Sequence, residues 1–180
     1  VRTDLLEGWR ATLDDNAPNH FLINIQPHER DAVADLFTGS GLAAPAFTPL
    51  VRARMLTING ESVKERSYPN RDGEWLANRE ANLSFAATLS SSNEILEGEW
   101  WPEDYDGPPL ISVEEEAAVE TGLALGDKLV FNVAGREVEA TIASIRKINW
   151  DSFQPNFFMV FSPGARNTLL QLAGFQGNPG

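Results

Sequence analysis

Two glutamates, Glu97 and Glu99, flank Gly98 and run directly into Trp100 and Trp101. A pair of carboxyl groups beside aromatic walls is the equipment of glycoside hydrolysis, where one carboxyl protonates the leaving oxygen and the other acts as base or nucleophile. That chemistry also needs an apolar pocket to keep one carboxyl protonated near neutral pH. A strand here puts Glu97 and Glu99 on one face and supplies no such pocket. Asp104-Tyr105-Asp106-Gly107 begins like a calcium loop, but the later ligands and the closing glutamate at the required spacing are missing, and a solvated turn accounts for it. His20 and His28 are the two imidazoles; a strand separates them, so they make no helical metal pair, and His28-x-x-Asp31 alone is a weak match. Ser40 and Ser90 to Ser92 have neither a Gly-x-Ser-x-Gly frame nor an evident histidine partner. These residues give no catalytic, cofactor or metal site.

Composition narrows the classes further. The chain of 180 residues is long enough to bury a good core as one domain or two small lobes. Hydrophobic content of 42% and charged content of 22% are those of an ordinary globular protein. A net charge of −12 argues against nucleic acid, which requires a basic footprint, and against flat docking on anionic lipid. There is no cysteine, which excludes disulfides and thiolate chemistry and leaves cytoplasm and periplasm equally open. No run of eighteen apolar residues occurs, so this segment crosses no membrane as a helix. It begins at Val1 with neither an initiator methionine nor a signal peptide, as expected for a piece of a longer protein.

The elements that would hold these residues are clearest from Ser112 to Gly164. Ser112 has the position of an N-cap with Glu115 at capping-box spacing, and Glu114, Glu115 and Glu116 suit the positive end of a helix dipole. Val113, Ala117, Ala118, Leu123 and Leu125 supply the apolar positions, and Thr121-Gly122 ends the regular part. After Gly126-Asp127 the period changes to two: Leu129, Phe131 and Val133 face one way, Lys128, Val130 and Asn132 the other. Ala134-Gly135-Arg136 forms a tight turn, and Val138, Ala140 and Ile142 resume the alternation. Residues 157 to 161, Phe-Phe-Met-Val-Phe, are apolar on both faces and suit a central strand.

Upstream, the pattern predicts a helix over Thr3 to Leu13, a loop over Asp14 to Asn19, a strand over Phe21 to Ile25 and a second helix opened by Pro27. Val33, Leu36 and Phe37 would form the buried stripe of that second helix, which stops at Gly39-Ser40-Gly41. A long strand follows from Phe47 to Ile58, closed by Asn59-Gly60, the strongest short hairpin signal. Glu61 to Trp75 reads as a mobile polar loop, Leu83 to Leu89 and Glu94 to Trp101 as extended segments, and Pro102 to Pro109 as a linker. The sequence therefore suggests an α+β protein of two lobes, a small α+β lobe over residues 1–60 and a β-rich lobe beyond it. Trp100, Trp101, Trp150, Phe153, Phe157 and Phe158 concentrate in the second lobe, mostly as core. Trp101, Trp150 and Phe153, near loops, are the candidates for an exposed apolar patch that meets a partner or cargo.

The strings PNHFLINIQP, PLVRARMLTING, LANREANLSF, EILEGEWW and the run from Ser112 to Phe161 together resemble an extracytoplasmic domain of ABC transporter permeases of the FtsX/MacB-like superfamily, in its YbbP-type branch. The resemblance spans roughly residues 1–164. It implies a two-lobed MacB-like periplasmic domain: a porter-like α+β lobe over 1–60, completed by 165–180, and an inserted β-rich sabre-like lobe over 61–164. It further implies a non-catalytic domain on the periplasmic side of the bacterial inner membrane that needs no cofactor and works by mechanotransmission. Implied partners are the membrane helices of the parent permease, a separate cytoplasmic ABC ATPase subunit, a periplasmic esterase and hydrophobic, lipid-like cargo. The tail from Gly164 to Gly180 departs from the family pattern, because the segments that complete the first lobe are not recognisable in it. The competing class is a stand-alone soluble hydrolase or binding module that uses an acidic and aromatic surface. It requires Glu97, Glu99 or Asp151 to converge with His20 in a cleft.

Overall fold

Alternation of buried and more exposed positions from Leu129 to Ile142 forms a hairpin with one inward-facing apolar side. In the computed structural model, which describes residues 25, 27–43, 47–152 and 154–165, that hairpin is β6 (Lys128–Val133) paired with β7 (Arg136–Ile148). Leu129, Phe131, Val133, Val138, Ala140 and Ile142 are all buried, as the period of two predicts. Ala134 and Gly135 make the turn, both with positive φ (50° and 85°), the backbone of a two-residue hairpin loop.

The remaining strands are β1 (Val51–Ile58), β2 (Glu61–Ser62), β3 (Glu80–Phe85), β4 (Asn93–Gly98), β5 (Leu110–Glu114) and β8 (Met159–Phe161). Pairings β1–β3, β3–β8, β8–β5, β5–β7, β7–β6 and β6–β1 return to their starting point, so six strands close a barrel. Two of these pairs, β3–β8 and β5–β7, are parallel. β2 hangs on β1 through the Asn59-Gly60 turn, with Ile58 opposite Glu61. β4 extends the sheet along the far end of β7. A barrel of this size is filled by its own side chains. Its centre holds Ile58, Leu83, Ile111, Leu129, Phe131 and Phe161, each fully buried. A bulge between Met55 and Thr57, opposite Phe131 and Val130, shifts the phase of β1 and brings Ile58 back inward.

The chain divides into two compact units, Val1–Pro45 with Trp150–Pro155, and Ala46–Asn149 with Asn156–Gly180. β1, a barrel strand, lies in the second of these units. In the first unit a 3-10 turn at Pro27–Glu29 leads into the helix Arg30–Gly39. The expected stripe of that helix is not buried: Val33 and Phe37 are half-buried and Leu36 is 68% exposed. The helix predicted over Thr3 to Leu13, the loop after it and the tail beyond Ala165 lie outside the described residues, as does most of the strand predicted over Phe21 to Ile25. No helix among the described residues is long and apolar enough to cross a membrane.

Several expectations need correction. The Ser112 cap does not form: residues 110–114 are strand β5, and the helix runs from Glu115 to Thr121 with Glu114 as its N-cap. Two parallel or antiparallel neighbours, β7 and β8, satisfy the backbone of Ser112 and hold it extended, which outcompetes local capping. The expected strand from Phe47 begins only at Val51. The polar stretch Glu61 to Trp75 is not a plain loop, since it contains β2 and the start of a helix, Arg71–Asn78. The strand placed at Leu83 to Leu89 runs instead from Glu80 to Phe85, where partners exist in β1 and β8. The expected strand at residues 157–161 is only Met159–Phe161, and Phe158 remains 38% exposed.

Candidate functional site

Two short helices pack on one another beside the barrel. In Arg71–Asn78, the Asn70 side chain accepts the Gly73 N–H at 2.8 Å, and Asp72 and Glu74 lie in the first turn. In Glu115–Thr121, the buried Glu114 carboxylate accepts the Ala117 N–H at 2.8 Å, and Gly122 (φ 68°) ends the helix in the left-handed region. Their backbones meet at Gly73. A Cβ there would collide with the carbonyl oxygen of Glu120, so only glycine permits this approach. Gly73→Ala is accordingly expected to force the helices apart at a cost of about 1–3 kcal/mol, measured by urea unfolding; unchanged stability would show that the contact is not tight.

Between these helices lies a groove of about 260 Å³ lined by Asp72, Trp75, Leu76, Arg79, Glu116, Ala117, Glu120 and Phe158. Trp75 is 61% exposed, and the Arg79 guanidinium lies 4.6 Å from its ring centroid, one helical turn away. Arg79 Nε is buried and has no hydrogen-bond acceptor among the described residues. Val119 on the second helix is 75% exposed.

A second cluster is wholly internal. Arg146 is almost completely buried. Its Nη1 donates to the Ser112 carbonyl at 2.7 Å, its Nε to Asn93 Oδ1 at 2.9 Å, and its Nη2 to the Phe157 carbonyl. Ser144 Oγ donates to Ser112 Oγ at 2.8 Å beside it. Burial pulls the Arg146 pKa down to about 10, while the Glu114 carboxylate pulls it back up. The group therefore stays charged at neutral pH, fully engaged in holding β5, β7 and the approach to β8 together.

The sequence-derived contact residues fare unequally. Trp101 cannot serve as a surface contact: it is 4% exposed, its indole N–H donates to the Ala86 carbonyl at 2.8 Å, and it stacks on Trp100 with centroids 4.1 Å apart. Its burial follows from the β4–β5 connection folding back over the segment after β3. Trp150 is 51% exposed and belongs to the first compact unit. Phe153 lies outside the described residues. Glu97, Glu99, Asp151 and His28 are exposed, and His20 is outside the described residues. Among the described residues no group of three His, Asp or Glu side chains could hold a metal ion. The groove residue Trp75 escaped the sequence reading because residues 61–75 read as loop, while Phe158 was read as part of a central strand. The signal was present: Pro69-Asn70 followed by Asp72 and Glu74 is a helix start.

Comparison with known proteins gives one informative likeness. The chain is 34% identical over 165 residues, 92% of its length, to an uncharacterized ABC transporter permease, YbbP, of Escherichia coli strain K12. It spans about a fifth of that permease, 19% of its length. No family model and no solved structure matches. The chain is thus similar, over nearly its whole length, to one segment of an ABC transporter permease.

Proposed function

We propose that the chain is the extracytoplasmic domain of an ABC transporter permease subunit. It lies on the periplasmic side of the inner membrane and is non-catalytic. In this reading the two-lobed MacB-like plan holds, with the barrel as the β-rich, sabre-like part. ATP-driven closure in a separate cytoplasmic ATPase subunit passes through the parent's membrane helices to this domain, which contacts hydrophobic, lipid-like cargo and periplasmic partners such as an esterase. The observation that carries the reading is the 34% identity to a permease across 92% of the chain. A closed barrel locked by internal hydrogen bonds suits transmission of motion as a rigid body.

The test is recovery of the full-length protein from its host. Detergent extraction of membranes should yield it together with an ABC ATPase subunit, with ATP hydrolysis in the purified complex. Recovery in the soluble fraction without an ATPase would overturn the proposal.

A further inference from the structure

From the groove between the two helices, independently of the transporter reading, we infer a docking site for a basic segment of a partner polypeptide that inserts a lysine or arginine beside an apolar residue. Three observations set the chemistry. First, the volume is about 260 Å³, below the roughly 300–1,000 Å³ of pockets that enclose a whole small molecule. It fits one or two side chains, which is how polypeptide anchors bind. Second, Asp72, Glu116 and Glu120 present three carboxylates against the single guanidinium of Arg79. No cation lies within ion-pair distance of any of the three among the described residues. With a chain charge of −12, the field here attracts cations and repels phosphates and fatty acid carboxylates. Third, the exposed Trp75 and the partly exposed Phe158 and Leu76 provide an apolar floor next to those carboxylates. Trp75 has only two side-chain torsions and lies against the Arg79 guanidinium, so it suits a hot spot at which little rotamer entropy is lost on binding.

A display library of random 12-residue peptides, panned on the 180-residue chain, tests this. The expected pool is enriched in lysine and arginine adjacent to leucine or an aromatic residue. Its retention should fall at least about tenfold on Glu116→Gln/Glu120→Gln and separately on Trp75→Ala, two variants whose changes lie at exposed or half-buried positions and whose folding is checked by thermal unfolding. Binding should also weaken as salt rises from low to about 0.5 M. A pool without basic enrichment, or one that both variants retain as well as the unaltered chain does, would overturn the inference. Displacement by butylammonium at concentrations comparable to the peptide Kd would make this a small-amine pocket and overturn it as well.

Discussion

Arg146→Ala is expected to lower stability by about 3–5 kcal/mol, the scale for removing one member of a buried charged network. The guanidinium reaches the Ser112 carbonyl, Asn93 Oδ1 and the Phe157 carbonyl from a site only 1% exposed. Truncation leaves the buried Ser112 carbonyl without this donor, at roughly 1–3 kcal/mol before relaxation, and strips it at lesser cost from the part-buried Asn93 Oδ1 and Phe157 carbonyl. The damage spreads, because Asn93 Nδ2 also holds Asn156 Oδ1 at 3.0 Å, and Ser92 Oγ reaches the same oxygen at 3.1 Å. These contacts fix the chain where it leaves the barrel at Asn149 and returns at Asn156. Arg146→Met separates volume from hydrogen bonding: it fills the space yet should recover only a minority of the loss. Urea unfolding of both variants reads the effect, and a loss below about 1 kcal/mol for Arg146→Ala would show that the network is not energetically central.

Phe131→Ala should cost a similar amount, about 3–5 kcal/mol, by a different route. Phe131 is fully buried, faces Met55 on β1 and Val138 on β7, and meets Phe161 edge to face with ring centroids 5.7 Å apart. It thus sits where the hairpin closes on both sides of the ring of strands. Removing the ring leaves a cavity that a closed barrel cannot collapse to fill, since each strand is held by two neighbours. Equilibrium unfolding in guanidinium gives the value, and a cost below about 1.5 kcal/mol would mean that the barrel relaxes around the gap.

Local pattern revealed the β6–β7 hairpin with its buried face and the Asn59-Gly60 turn, because each is specified by neighbours in sequence. Barrel closure was not legible. It depends on β1 meeting β6 and on β3 meeting β8 in parallel, pairings between residues some 75 apart that no periodicity encodes. The same tertiary contacts overrode the Ser112 cap by drawing that residue into β5. Trp101 illustrates the limit for sites: proximity to a Pro- and Gly-rich stretch suggested exposure, yet the fold supplies the Ala86 carbonyl to its indole N–H and buries it. The groove required two helices from separate parts of the chain, one of which a polar composition had hidden.

The central claim, that this domain lies outside the cytoplasm on a permease, is tested most directly by its sidedness. The segment contains no cysteine, so a single cysteine at the exposed Glu137, in full-length protein freed of its other cysteines, reports this domain alone. Treated with a membrane-impermeant maleimide on intact spheroplasts, Glu137→Cys should label as fully as after lysis. Labelling only after the inner membrane is permeabilised would contradict the account.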